Sequence, residues 1–239
     1  MPSDVASRLA VVDRVLADPP AVHPMDHSPD ASIGVWSTEP SCYRFLAEHC
    51  PEGTRTLETG SGLSTVLFAA LGAHHTCCTP SQDEVDRVLA HCTSRQFPTE
   101  HLRFDVGASQ DTLPGIERAG EDRDLVLIDG GHGFPVPILD WFYGAATLRA
   151  GGLLVVDDVN LPAVRALCGF LDQDPRWESL AGTDKWRAWR RLHSGSLSED
   201  WTAQGFYRSR RDRIRQLRQG AQARVQRLLG QRQGRSRTP

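Results

Sequence analysis

Val5, Leu9, Val12 and Leu16 recur at helical spacing, so the chain is predicted to open with an amphipathic helix that stops before Pro19 and Pro20. A connector bearing Pro, Asp and His follows, and Pro40 suits the first position of a second helix running through Cys50. Beyond it, short apolar runs alternate with helical segments. The pattern predicts strands at 54–58, 75–79, 102–106, 124–129 and 153–156, with helices at 63–71, 84–92, 137–148 and near 162–171. The runs "DLVLID" and "LLVVDD" are apolar at successive positions and end in acids, as in central strands covered by helices on both faces. "KWRAWRRL" and "QGFYRS" are predicted to form a closing antiparallel pair, joined by the polar segment 193–203. Together these elements predict an α/β fold, doubly wound around a mostly parallel seven-stranded sheet, whose ligands sit at the carboxyl ends of the strands.

With 239 residues and 39% hydrophobic content the chain has enough material for one sizeable domain. That domain is expected at residues 33–207, preceded by a helix and a substrate-side loop at 1–32. The opening "MPSDVASRLAVVDRVLADPP" lacks a basic start, and no run approaches membrane-spanning length, so a cytoplasmic protein without a transmembrane segment is expected. Six cysteines without zinc spacing are read as buried free thiols. Charge is the uneven property. Residues 208–239 hold eleven Arg against Asp212 alone, a net +10, which leaves −13 on the body of a chain whose total is −3. Ile214, Leu217, Ala221, Val225 and Leu228 form an apolar stripe in that tail, predicting a helix that docks on its own acidic body or on a second subunit. Nucleic acid or a membrane surface is the alternative partner.

The stretch "LETGSGLST", residues 57–65, carries the candidate chemistry. Its strand, Gly turn and apolar helix make a nucleotide-type site. A dinucleotide fingerprint would need a third glycine where Thr65 stands and an acid near Pro80, and no Gly-Lys-Ser or Gly-Lys-Thr follows to make a P-loop. Glu58, two residues before the first glycine, would repel a pyrophosphate. It suits a ligand with positive charge or hydroxyl donors, and S-adenosylmethionine has both.

With "LETGSGLST" as first motif, "DLVLIDGGH" as fourth strand and "LRAGGLLVVDDV" as Gly-Gly turn and fifth strand, the chain resembles the class I S-adenosylmethionine-dependent methyltransferases over residues 33–207. Within them it is most similar to the macrocin-type sugar O-methyltransferases and, more distantly, to the catechol O-methyltransferases. The resemblance implies a Rossmann-like fold and S-adenosylmethionine as cofactor. It assigns cofactor binding to Glu58, Gly60, Ser61, Gly62, Ser64 and Thr65, to Thr79 and Ser81 after the second strand, to Ala108 and Ser109 on the adenine side, and to Asp129. Ser64 replaces the family's usual glycine and can cap the next helix. The usual ribose-binding acid is missing, and "CCTPSQDE" offers Thr79, Ser81 and Gln82, then Asp83 and Glu84.

The same resemblance gathers Asp129, His132, Asp157 and Asp158 at adjacent strand ends. Three carboxylates with oxygen-only ligation suit a hard divalent ion, Mg²⁺ first, held by Asp129, Asp157 and Asp158. In the relatives the metal binds two neighbouring substrate oxygens, and a base three residues after the first metal acid takes the hydroxyl proton. His132 stands three residues after Asp129, which makes these two the catalytic candidates. The bland alternatives are a strand end with capping aspartates and a structural loop histidine. Trp36 is the one tryptophan singled out as a candidate cover for the cofactor, and His23, Asp26 and His27 are read first as an ordinary surface loop, with a substrate pocket as the alternative. The function that follows is metal-assisted O-methylation of a small polar acceptor, a sugar hydroxyl or vicinal diol. A metal-free or N-directed enzyme, or a nucleic-acid-binding protein using the fold as scaffold, is the alternative.

Overall fold

The computed structural model describes residues 4–26, 28, 30–194, 196–197, 200 and 204–207. The tail stripe, Trp201 and His27 lie outside the described residues. Helix α1 (Val5–Ala17) is capped by Asp4, whose side chain accepts from the Ser7 amide at 2.9 Å. It buries Val12 and Val15 against α2 (Pro40–Glu48), which has Pro40 at its first turn as expected. Arg8 is buried between them, and its Nε donates to the Ala47 carbonyl at 2.7 Å, reinforcing a helix-end acceptor that otherwise has a long bond from the Cys50 amide at 3.4 Å. Between these helices runs a short antiparallel pair, β1 (His23–Pro24) and β2 (Ile33–Gly34).

The main sheet follows: β3 (Arg55–Thr59), α3 (Leu63–Leu71), β4 (His74–Thr79), α4 (Gln82–Ser94), β5 (Leu102–Val106), α5 (Ser109–Ala119), β6 (Arg123–Ile128), α6 (Val136–Gly144), β7 (Leu148–Val156), α7 (Pro162–Leu171), β8 (Trp177–Gly182) and β9 (Arg187–Arg191). Its spatial order is β5-β4-β3-β6-β7-β9-β8. The first five of these strands are mutually parallel, and β9 runs antiparallel to both neighbours. The chain winds outward from β3 through β4 to β5, then returns to β6 on the other side of β3. The crevice at that reversal is where doubly wound sheets bind ligands.

Both faces of the central strands are buried. Leu125, Leu127, Leu153 and Val155 pack with Leu46, Leu67 and Phe68 on the side of α1–α3, whereas Val126, Ile128, Leu154 and Val156 pack with Trp141, Leu167 and Trp189 on the other. This accounts for the unbroken apolar runs of β6 and β7, since successive side chains enter opposite cores. All six cysteines are buried and unpaired. Among the described residues no helix is long and apolar enough to cross a membrane.

Two expectations need correction. The closing strand pair is β8 with β9, so "KWRAWRRL" does contain a strand, but its partner is the preceding "WESLAG", and Gly205–Tyr207 forms a single 3-10 turn. An edge strand needs little apolar content, and β8 exposes Glu178 and Ser179, which hides it from a hydrophobicity reading. Helix α5 was not anticipated either. It carries Pro114 in its interior and buries only Leu113 and Ile116, too few apolar residues to register a period.

Candidate active site

The turn between β3 and α3 is fixed by backbone geometry before any side chain acts. Gly60 has φ +88°, and a Cβ there would stand 2.3 Å from the Asp129 carbonyl oxygen, so only glycine lets the ends of β3 and β6 approach this closely. Beneath the turn lies Glu58, fully buried, accepting from Thr65 Oγ1 at 2.5 Å and from Ser64 Oγ at 3.4 Å. Thr65 Oγ1 in turn accepts from the Gly62 amide at 3.0 Å. Burial pushes the Glu58 carboxyl up to about 8 against the opposing pull of those hydroxyls. His75 Nε2, 3.6 Å from Glu58 Oε2, is driven down to about 3 by burial and by Arg123. Near neutral pH the pair is therefore a carboxylic acid beside a neutral imidazole. Glu58 and Thr65 brace the turn from below.

Above the turn opens a cavity of about 780 Å³, bounded by the carboxyl ends of β3, β4, β6 and β7 and by the β5–α5 turn. That volume is within the roughly 300–1,000 Å³ usual for ligand sites. Gly60, Ser61, Gly62 and Ser64 line one wall, with Thr79, Ala108 and Ser109 beside them. Glu84, from the first turn of α4, reaches into this wall, where its Oε2 accepts from Ser61 Oγ at 2.7 Å and Thr79 Oγ1 at 2.8 Å. Ser81 faces away from the cavity and caps α4 by accepting from the Glu84 amide at 3.2 Å. His23 closes the outer side. Its Nε2 donates to the Ser61 carbonyl at 2.7 Å, its Nδ1 accepts from the Trp36 amide at 3.4 Å, and its ring stacks on Trp36 at 5.1 Å. Trp36 lines the cavity yet stays 58% exposed, a position at its mouth.

The acids form the opposite wall. Asp157 is 2% exposed; its Oδ1 accepts from Thr38 Oγ1 at 2.5 Å, and its Oδ2 lies 3.4 Å from Lys185 Nζ. The same ammonium donates to Asp158 Oδ1. His132 Nε2 stands 3.3 Å from Asp158 Oδ2 and 3.9 Å from Asp129 Oδ1. Burial, and then the neighbouring Asp157 charge, push the Asp129 carboxyl well up. Burial alone would depress the Lys185 ammonium, but its bond to Asp158 and the nearby Asp157 outweigh this and hold it above its ordinary value. At this wall the potential ligand atoms that gather within 4.8 Å of one another belong to Asp129, His132 and Asp158, while a second, buried group beneath the turn comprises Glu58, His75 and Cys77. Asp157 is engaged elsewhere.

Of the residues expected at the site, Gly60, Ser61, Gly62, Ser64, Thr79, Ala108, Ser109, Asp129, His132, Asp157 and Asp158 line the cavity, whereas Glu58, Thr65 and Ser81 stand behind its walls. Sequence reasoning passed over Lys185 and ranked Glu84 last among the polar residues after β4. The Ser81-to-Glu84 spacing of a capping box was the available signal for the latter. For Lys185, on the β8–β9 turn, no local pattern existed.

A family model described as a methyltransferase domain matches residues 57–159, from the Gly turn through the two aspartates. Residues 57–159 thus form a methyltransferase domain. Solved structures share the fold of this chain at low identity. Cofactor-bound Rv0187 from MTB is 20% identical, with a TM-score of 0.54 over 78% of this chain and 88% of that one. The O-methyltransferase TomG from Streptomyces achromogenes, involved in tomaymycin synthesis and solved with S-adenosylmethionine, is 17% identical, with a TM-score of 0.56 over 80% and 91%. The Podospora anserina methyltransferase PaMTH1, bound to S-adenosylhomocysteine, is 16% identical, with a TM-score of 0.53 over 81% and 89%. No curated protein matches the chain in sequence.

Proposed function

We propose that this enzyme moves the methyl group of S-adenosylmethionine to a hydroxyl of a small polar acceptor, a sugar hydroxyl or vicinal diol, with His132 as the base. The observation that carries this reading is the single cavity shared by the Gly turn, Glu84 and His132. Glu84 supplies the ribose carboxylate that β4 lacks at its end, Gly60 and Gly62 shape the turn the ligand lies against, and Ala108 and Ser109 flank the adenine. The likeness to an O-methyltransferase of tomaymycin synthesis supports oxygen as the methylated atom.

Methyl transfer from a sulfonium is an in-line displacement, so the enzyme must align oxygen, carbon and sulfur and ionise the nucleophile. His132 takes the acceptor proton as the oxygen–carbon bond forms and the carbon–sulfur bond breaks. Asp158, 3.3 Å from Nε2, stabilises the imidazolium that results. Mg²⁺ on Asp129, Asp157 and Asp158, which the family resemblance implies, does not fit this donor set, because Asp157 is held by Thr38 and Lys185, and Asp158 by Lys185. No step here is routed through a metal.

The test is release of S-adenosylhomocysteine over a panel of sugars and vicinal diols. Wild type should turn over at least one, and His132→Ala should be slower by ~10² to 10⁴ with partial recovery at high pH. An active wild type matched by His132→Ala at every pH would remove the base from the mechanism.

A further inference from the structure

Lys185 is set between Asp157 and Asp158 by more than its own side chain. Its carbonyl accepts from the Val159 amide at 3.0 Å, and its amide donates to Thr183 Oγ1 at 3.1 Å. Thr183 Oγ1 donates to Glu39 Oε2 at 2.8 Å. The next residue, Trp186, is 3% exposed and donates from Nε1 to Ser41 Oγ at 2.9 Å. The β8–β9 turn is thus tied to α2 on one side and to the segment after β7 on the other. An ammonium delivered on such a mount differs from a surface lysine that happens to find an acid. It contacts Asp157 Oδ2 at 3.4 Å and Asp158 Oδ1, and its side chain is only 29% exposed.

From this arrangement we infer that Lys185 is the resident cation of the acid wall, standing where a divalent ion would bridge Asp157 and Asp158. The inference rests on the methyltransferase reading of the cavity and concerns how its acid wall is neutralised. An ammonium carries three donors. Two serve Asp157 and Asp158, and the third is left for an oxygen of the acceptor at the cavity wall that Lys185 lines. A divalent cation between the same carboxylates would meet the ammonium's repulsion, so the lysine both replaces the metal and excludes it. Lys185 is in this sense a positioning residue: it holds two carboxyl groups side by side, and Asp158 faces His132.

Mn²⁺ serves as the probe, followed by electron paramagnetic resonance on the full chain. The proteins compared are wild type, Lys185→Gln, Lys185→Met and Lys185→Gln combined with Asp157→Asn, each tested for folding by thermal melting and for S-adenosylhomocysteine binding by calorimetry. Lys185→Gln and Lys185→Met should each open one Mn²⁺ site, about tenfold or more tighter than any site in wild type, because the competing charge is gone. Adding Asp157→Asn should close it again. A merely structural lysine would change melting and leave Mn²⁺ affinity untouched. Stoichiometric Mn²⁺ on wild type at the variants' affinity, or no new site in either folded variant, overturns the inference. Failure of wild type to bind S-adenosylhomocysteine would instead strike the methyltransferase reading, which keeps the two outcomes apart.

Discussion

Glu84→Gln is the most informative single change at the cofactor end. Glu84 Oε2 is occupied by the Ser61 and Thr79 hydroxyls at 2.7 and 2.8 Å, which fix the carboxylate and leave Oε1 for the ribose hydroxyls. Glutamine keeps the shape and removes the charge, so each charge-assisted bond becomes an ordinary one or meets a donor head-on. A hydrogen bond to a charged group contributes about 1.5–3 kcal/mol, so the variant should bind S-adenosylhomocysteine roughly 10- to 150-fold more weakly. Calorimetric titration reads this directly, and repeating it with an analogue lacking the ribose hydroxyls should abolish the difference between variant and wild type. Glu58→Gln is the matched control. Its carboxyl, pushed up to about 8, already carries a proton near neutral pH and lies behind the turn, so cofactor affinity should change little. Wild-type affinity in Glu84→Gln together with a loss in Glu58→Gln would refute this placement of the ribose and return it to the first motif.

Three further outcomes are expected. Gly60→Ala should lose about 1–2 kcal/mol from the left-handed backbone alone and more from the contact with the Asp129 carbonyl, read by urea unfolding, with cofactor binding weakened in whatever remains folded. Stability should also depend on pH through Glu58 and His75. Glu58, raised from 4.5 to about 8, contributes fully below 4.5 and loses its contribution as pH climbs toward 8; His75, lowered from 6.5 to about 3, contributes fully above 6.5 and loses its contribution as pH falls toward 3. Within this pair the opposing slopes cancel between 4.5 and 6.5, and above 6.5 the Glu58 slope remains up to about 8, on top of whatever decline the raised carboxyls of Asp129 and Asp140 add in wild type and variant alike. Urea unfolding should therefore show a decline from pH 6.5 to 8 that is about 2 kcal/mol larger in wild type than in Glu58→Gln; an equal decline in the two would place the titrating group elsewhere. Chelation by EDTA should leave wild-type turnover unchanged, and loss of activity restored by Mg²⁺ would contradict the role given to Lys185.

The parallel half of the fold was legible because its signal is local. Strands β3 to β6 end within a residue or two of where the apolar runs end, and the two-sided burial of β6 and β7 follows from their continuous Val, Leu and Ile content. The antiparallel edge was not, because β8 buries only Trp177 fully and draws its order from β9. The site divides the same way. Gly60, Asp129, His132 and Asp157 sit at strand ends that the periodicity already located. Glu84 and Lys185 reach the cavity from one helix turn and from a hairpin far along the chain, and their role depends on tertiary placement that no spacing encodes. Glu58 shows the converse: the correct motif was read, but burial beneath the turn gives its acid a supporting task.

A crystal structure of the full chain with S-adenosylhomocysteine tests the central claim most directly. The ligand should lie in the cavity with its ribose hydroxyls on Glu84, its backbone-facing edge against Gly60 and Gly62, and its sulfur directed toward the space beside His132. A ligand bound elsewhere, or one whose ribose turns from Glu84 and whose sulfur faces away from His132, would contradict it.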